Sequence, residues 1–140
     1  ANRGENFTVI FVNNGIYGMT GGQMAPTTLI GQKTSNTPLG RTVEHSGRPL
    51  HICEMLSTID GAKFVERVSV DTPANIRKAK KAIKECFEVQ LRGEGFGIVE
   101  VLSTCPTNWG LAPNDALQWL RDNMMPVYPM GNFRNPKEVG

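Results

Sequence analysis

The sequence predicts an α/β fold of three layers, in which a mostly parallel sheet is flanked by helices. Two observations support this prediction. Short apolar runs alternate with longer helical patterns, which is typical of parallel strands joined by helices. The first run, Phe7–Val12, shows no polar alternation, as expected for a strand that is buried on both faces. A length of 140 residues suffices for one apolar core, so we expect residues 1–140 to form a single domain.

The first predicted strand, Phe7–Val12, is rich in β-branched residues and stops at the turn signal Asn13-Asn14-Gly15. The following stretch, Gly15–Arg41, is rich in Gly, Thr, Ser, Asn and Pro and shows little periodicity. Loops of this length in compact domains are usually functional or disordered. Because this loop contains several apolar residues, we interpret it as an ordered loop.

The second part of the chain has a more regular pattern. Asp71 and Thr72 precede Pro73, which is a strong signal for a helix start. We expect the inward face of that helix to consist of Ile76, Ala79, Ile83, Cys86, Phe87 and Gln90. The other predicted elements are a helix at Leu50–Ile59, strands at Phe64–Val70 and Phe96–Leu102, a loop at Ser103–Pro113, a helix at Asn114–Met124 and an extended tail over residues 126–140.

Composition excludes several function classes. Apolar residues make up 39% and charged residues 20% of the chain, and no uncharged apolar run approaches the length of a membrane span. The net charge of +2 is too small to indicate nucleic-acid binding. Three widely spaced cysteines argue against a secreted disulfide scaffold and favour a reducing compartment. We therefore expect a cytoplasmic protein without a nucleic-acid or membrane partner.

Two loops that leave predicted strand ends are candidates for a binding site, Asn13–Gln23 and Ser103–Gly110. No charged side chain occurs between Phe7 and Gln32. A neutral loop rich in glycine lets backbone amides approach the oxygens of a diphosphate. An asparagine oxygen and a backbone carbonyl are hard ligands of the kind that Mg²⁺ prefers. Composition alone leaves open that this loop only turns the chain.

The run NNGIYGMTGGQMAPTT, with FTVIFV before it, resembles the second half of the thiamine diphosphate motif in β subunits of 2-oxoacid:ferredoxin oxidoreductases. The similarity continues through GQKTSNTPLGR, RVSVDTPANIRKAKKAIKECFE and VEVLSTCPTNWGL. It is greatest to enzymes that act on 2-oxoisovalerate or 2-oxoglutarate. The resemblance implies the C-terminal part of a thiamine diphosphate-binding fold. It also implies oxidative decarboxylation of a 2-oxoacid, such as 2-oxoisovalerate, to acyl-CoA with reduction of ferredoxin.

The resemblance also implies residue roles. The side chain of Asn14 and the backbone carbonyl of Ile16 are expected to ligate Mg²⁺. Asn13 is expected to fix the turn. The residues expected to line the diphosphate and the thiazolium end of the cofactor are Tyr17, Gly18, Met19 and Thr20.

Cys105, in STCP, matches the last of four cysteine ligands of a 4Fe–4S cluster in the family. A single thiolate cannot hold such a cluster, so we expect a cluster only in the intact subunit and a free Cys105 thiol here. Cys53 and Cys86 fall on predicted inward helix faces and are expected to be core thiols. The family's Gly-Asp-Gly aspartate, a further magnesium ligand, does not occur in this sequence. We therefore expect a C-terminal portion that is inactive alone.

The resemblance implies α and possibly γ and δ subunits, ferredoxin, coenzyme A and a 2-oxoacid as partners. Lys33, Arg41 and Arg48 flank the neutral loop, where they either meet coenzyme A phosphates or a substrate carboxylate, or remain solvated. Two other functions stay open. One is a non-oxidative thiamine enzyme of the decarboxylase or acetolactate synthase type, which has no use for the cysteine in STCP. The other is an inactive binding or assembly module, which the missing aspartate favours.

Overall fold

The computed structural model describes residues 1–137, which form two compact units. We call them the sheet unit and the loop unit. The sheet unit comprises Ala1–Val12, Ile52–Leu102 and the described residues from Pro129 onward, and the loop unit comprises Asn13–His51 and Ser103–Tyr128. A single domain over residues 1–140 stays a prediction.

All three predicted strands and all three predicted helices are present, together with several short elements. The strands are β1 (Thr8–Asn13), β2 (Ile16–Tyr17), β3 (Gln23–Met24), β4 (Ala62–Ser69), β5 (Phe96–Leu102) and β6 (Gly131–Arg134). The helices are α1 (Val43–Ser46), α2 (Ile52–Ser57), α3 (Pro73–Leu91), α4 (Pro106–Trp109), α5 (Pro113–Trp119), which continues as a π-helical turn (Leu120–Met124), and α6 (Met125–Val127).

The main sheet has four strands in the order β1-β5-β4-β6. β4 and β5 are parallel, with Arg67 opposite Glu100. The backbone amide of Gly97 donates to the carbonyl of Phe7 at 3.1 Å, which pairs β5 with β1. Helices cover both faces of the sheet, and the mostly parallel, three-layer α/β class is therefore confirmed.

The tail expected over residues 126–140 is partly a sheet strand. β6 pairs antiparallel with β4 at the edge of the sheet. The guanidinium of Arg134 donates to the carbonyls of Ser57 and Ile59 at 3.2 and 2.7 Å. This pairing depends on main-chain groups, which leave no pattern in the sequence. The tail itself has three prolines and a weak apolar pattern, neither of which indicates a strand. Residues 138–140 of the expected tail lie outside the described residues.

The inward face of α3 differs from the predicted one. The buried residues of this helix are Ala79, Ala82, Cys86 and Val89, whereas Phe87 is 46% exposed. A Cβ built on Gly97 of β5 would lie only 2.5 Å from the Cys86 Sγ. The helix therefore approaches the sheet closely, and small side chains fit its inward face better than Phe87. Within the described part of the chain, no helix combines the length and apolar character needed to cross a membrane.

A charged cluster is buried in the sheet unit. The side chains of Arg67 and Glu100 have no exposed surface, and the Arg67 Nε donates to the Glu100 Oε2 at 2.8 Å. The other nitrogens of Arg67 bind both carboxylate oxygens of Glu54 at 2.9 and 2.6 Å. The Cys53 thiol donates to the same Glu100 oxygen at 3.1 Å. Burial and the Glu100 carboxylate raise the pKa of this thiol well above its usual range.

Candidate functional site

The turn after β1 is fixed by the side chain of Asn13, which is 1% exposed. Its Oδ1 accepts hydrogen bonds from the backbone amide of Gly15 at 3.0 Å and from the Thr27 hydroxyl at 2.8 Å. Gly15 has a φ of +69°, which favours glycine because other residues are strained there. Asn13 therefore shapes the turn, as the sequence predicted.

Asn14 and Ile16 follow on this turn. The Asn14 Oδ1 accepts a hydrogen bond of 3.3 Å from the Ile16 amide, and the Asn14 carbonyl accepts one of 3.2 Å from the indole of Trp109. The side chain of Asn14 is half-buried, while Ile16 is buried and lies opposite Met24 in the β2–β3 hairpin. Trp109 therefore anchors the main chain of the turn at Asn14. The side-chain oxygen of Asn14, in contrast, accepts only a long and weak hydrogen bond.

The hairpin loop after Ile16 carries the remaining predicted cofactor residues. Tyr17 is 53% exposed and Met19 is fully exposed. The Thr20 hydroxyl donates to the Gln23 Oε1 at 2.8 Å, so this hydroxyl already has an acceptor within the loop. Lining of a cofactor by Tyr17, Gly18, Met19 and Thr20 stays a prediction.

The second candidate loop meets the first at Gly18. The side-chain amide of Asn108 donates to the Gly18 carbonyl at 3.0 Å and to the Cys105 Sγ at 3.3 Å. A Cβ on Gly18 would lie 3.0 Å from that sulfur and 3.5 Å from the Asn14 Nδ2. A side chain at position 18 would therefore press on the Cys105 sulfur, and the contact brings Asn14, Gly18 and Cys105 together. Sequence reasoning missed Asn108 and Trp109, because nothing in TNW indicates which loop their side chains bind.

The cysteines do not form a cluster. Cys53 and Cys86 are completely buried, and Cys105 is partly exposed. Burial raises the pKa of Cys86 to about 11. Within residues 1–137, no three His, Cys, Asp or Glu side chains lie close enough together to hold a metal ion.

We expect one fast-reacting thiol per native chain, Cys105, and three after unfolding. Thiolates are the reactive form, and the raised pKa values of Cys53 and Cys86 keep both thiols protonated in the folded state. Titration with Ellman's reagent at pH 8, with and without guanidinium chloride, measures both numbers. Cys105→Ser should remove the fast phase, and a second fast thiol in that variant would contradict the expectation.

Arg41 has a structural role in the loop unit. It is 4% exposed, and its guanidinium donates to main-chain carbonyl oxygens at distances of 2.8–3.3 Å. The acceptors are Ala25, Pro26, Thr28, Ser46, Gly47 and Arg48. Both alternatives stated for Arg41, contact with a coenzyme phosphate or substrate carboxylate and a solvated role, are therefore wrong, because the side chain is buried and its donors are already used. Lys33 and the side chain of Arg48 are exposed.

An aromatic cleft of about 420 Å³ lies in the loop unit. Trp109 and Trp119 form its aromatic wall, with ring centroids 4.5 Å apart. Because Trp109 also donates to the Asn14 carbonyl, this wall is connected directly to the turn. The other lining residues include Leu29, Ile30, Gln32, Lys33, Leu111 and Asn123.

Residues 1–101 match the family described as "Thiamine pyrophosphate enzyme, C-terminal TPP binding domain". The chain is 51% identical over 135 residues to ketoisovalerate oxidoreductase subunit VorA of Methanothermobacter marburgensis. This alignment covers 96% of this chain and 28% of that protein. It is 40% identical over 121 residues to 2-oxoglutarate synthase subunit KorB of Archaeoglobus fulgidus, covering 86% of this chain and 41% of that protein.

A solved structure also resembles this chain, the 2-oxoglutarate:ferredoxin oxidoreductase from Magnetococcus marinus with 2-oxoglutarate, coenzyme A and succinyl-CoA bound. The TM-score is 0.63 at 28% identity, over 87% of this chain and 37% of that chain. The chain thus spans less than half the length of these relatives. The predicted resemblance to subunits of 2-oxoacid:ferredoxin oxidoreductases is confirmed. Because the family match covers more than half of its residues, the chain belongs to the thiamine pyrophosphate enzymes, in the family of their C-terminal TPP-binding domain.

Proposed function

We propose that this chain is the thiamine diphosphate- and Mg²⁺-binding part of a 2-oxoacid:ferredoxin oxidoreductase, which converts 2-oxoisovalerate to acyl-CoA while ferredoxin is reduced. The observation that carries the proposal is the turn after β1, where an amide oxygen, main-chain groups and glycines meet with no charged side chain between Phe7 and Gln32. The 51% identity to a ketoisovalerate oxidoreductase subunit supports the choice of substrate.

The donor chemistry of this turn fits a magnesium-bound diphosphate. Mg²⁺ prefers hard oxygen ligands, and the proposed ligands are the Asn14 Oδ1 and the Ile16 carbonyl. The 3.3 Å hydrogen bond that the Asn14 oxygen accepts is weak and easily exchanged for a metal. The Asn13 oxygen already accepts two shorter bonds inside the turn, which supports Asn14 as the ligand.

Both proposed ligands are neutral, and the chain contains no Gly-Asp-Gly segment. A carboxylate ligand must therefore come from another segment or subunit of the oxidoreductase. When bound, thiamine diphosphate supplies the electron sink for decarboxylation. Backbone dipoles of Tyr17, Gly18 and Met19 would hold the diphosphate, and the Thr20 hydroxyl, which donates to Gln23 here, would be a further donor to it.

The further partners are proposed on the resemblance. Cys105 serves as one 4Fe–4S ligand in the intact subunit. Residues 1–137 alone do not fit a cluster, since their other cysteines are buried in the sheet unit. The α, γ and δ subunits, ferredoxin and coenzyme A complete a cytoplasmic complex, which agrees with relatives that are named as subunits.

Asn14→Ala is expected to weaken Mg²⁺ binding to the oxidoreductase by about tenfold or more, because one of few hard oxygen ligands is lost. Isothermal calorimetry with Mg²⁺ and thiamine diphosphate measures the effect. Asn114→Ala, which removes an exposed asparagine at the start of α5, is the matched control and should bind as the unchanged protein does. Equal affinity for the two variants would show that Asn14 is not a ligand.

A second candidate is an assembly module that holds no cofactor itself, because both proposed metal ligands in this chain are neutral. Calorimetry on the complex distinguishes the candidates. If the complex binds Mg²⁺ and thiamine diphosphate and Asn14→Ala weakens this binding, the module alternative is rejected. If binding is unaffected by this substitution and by Ile16→Pro, which disturbs the main chain of the turn, the module alternative is supported.

A further inference from the structure

Gln32 carries the one buried side-chain polar atom in residues 1–137 that has no hydrogen-bond partner, its Nε2. The residue is 8% exposed, and its other polar groups are all bonded. The Oε1 accepts from the Leu29 amide at 2.9 Å, and the backbone amide and carbonyl pair with Leu29 and Arg41 at 3.1 Å. An unpaired buried donor is unfavourable, and these bonds hold the rest of Gln32 in place.

This carboxamide packs against the proposed metal turn. A Cβ on Gly15 would lie 3.0 Å from the Gln32 Oε1 and 3.3 Å from its Nε2. Gly15 separates the two proposed ligands, Asn14 and Ile16. The unpaired donor is therefore in contact with the main chain that presents the metal ligands.

A second donor already reaches the same turn. Trp109, which lines the aromatic cleft together with Gln32, donates its indole N–H to the Asn14 carbonyl at 3.2 Å. The Gln32 Nε2 has almost no solvent-accessible surface, so bulk water does not supply its missing acceptor. An acceptor has to come from the adjacent chain, and the turn at Gly15 is next to this nitrogen.

We propose that Gln32 is a positioning residue for the metal turn, and that its Nε2 donates to a carbonyl oxygen of residues 14–16 when the turn holds Mg²⁺. This inference rests on the proposed function. Metal binding replaces the 3.3 Å bond between the Asn14 Oδ1 and the Ile16 amide, so the turn readjusts around its ligands. Gln32 and Trp109 then hold the turn from the cleft wall with one hydrogen bond each.

Two substitutions separate the donor from the rest of the side chain. Gln32→Glu keeps an oxygen for the Leu29 amide and replaces the Nε2 donor, whereas Gln32→Met removes both groups at similar volume. We expect both to weaken Mg²⁺ binding to the oxidoreductase by about fivefold, the effect of one hydrogen bond. Asn123→Ala, which removes another amide that lines the cleft, should leave the affinity unchanged. Wild-type affinity in both Gln32 variants would overturn the proposal.

A structure of the wild-type oxidoreductase with Mg²⁺ and thiamine diphosphate tests the inference without any variant. We expect a turn carbonyl within about 3.2 Å of the Gln32 Nε2. An Nε2 that still lacks an acceptor, with the metal on Asn14, would overturn the role of Gln32 and leave the proposed function intact. A metal bound away from Asn14 would instead overturn the proposed function.

Discussion

Arg67→Met is expected to lower the free energy of unfolding by about 3–5 kcal/mol, the range found when a buried ion pair loses one partner. The Glu100 carboxylate has no exposed surface and binds the Arg67 Nε at 2.8 Å. Without Arg67 it remains a buried charge that has lost its cationic partner and keeps the weak hydrogen bond from the Cys53 thiol. Methionine retains the volume of the side chain but provides no donor for Glu54 or for the Pro129 carbonyl.

Urea unfolding followed by far-ultraviolet circular dichroism measures this loss. The double variant Arg67→Met/Glu100→Gln should recover part of the stability, because the buried carboxylate is then neutral while Glu54 keeps some solvent access. Lys84→Ala is the control, since it breaks an exposed 3.7 Å ion pair with Glu88 and should change stability by less than about 1 kcal/mol. If Arg67→Met lowered the free energy of unfolding by no more than Lys84→Ala does, the role assigned to this cluster would be refuted.

Arg41→Met is expected to cost about 3 kcal/mol and to loosen the long loop, because the carbonyls around the guanidinium lose their common donor. Arg41 donates both to the segment from Ala25 to Thr28 and to the segment from Ser46 to Arg48. Lysine cannot replace it, since an ammonium has three donors in a different geometry. Arg41→Lys should therefore recover only a small part of the loss.

Limited trypsin digestion provides the measurement, with cleavage after the exposed Lys33 as the signal. We expect faster cleavage there in Arg41→Met than in the unchanged protein, because local opening becomes more frequent. Arg48→Ala removes an exposed positive charge from the same loop and serves as the control. Equal cleavage rates in the three proteins would mean that Arg41 does not hold the loop.

Sequence patterns predicted the sheet best where burial is strongest. Phe96–Leu102 is a strand with the predicted bounds, because a short apolar run buried throughout permits few alternatives. The start of α3 at Pro73 was equally clear from Thr72, which caps the helix through the Asn75 amide. The inward face of α3 was predicted less well, since the close approach of Gly97 and Cys86 is a tertiary effect.

The candidate site was only partly predictable. The asparagine pair after β1 is recognisable from the sequence, and Asn13 fixes the turn as expected. Asn108, Trp109 and Gln32 reach the turn from segments distant in sequence, and no local pattern indicates such side-chain contacts. Arg41 was misjudged because a cation beside a neutral loop has the same sequence pattern whether it binds a ligand or main-chain carbonyls.

The pairing of the two indole rings has a practical consequence for spectroscopy. The chain has two tryptophans, and both Trp109 and Trp119 belong to the loop unit. Intrinsic fluorescence therefore reports on that unit alone, whereas the helical dichroism reports on both units, because α3 belongs to the sheet unit and α5 with its π-helical turn to the loop unit. Melting curves recorded with the two signals will coincide only if both units unfold in one cooperative transition.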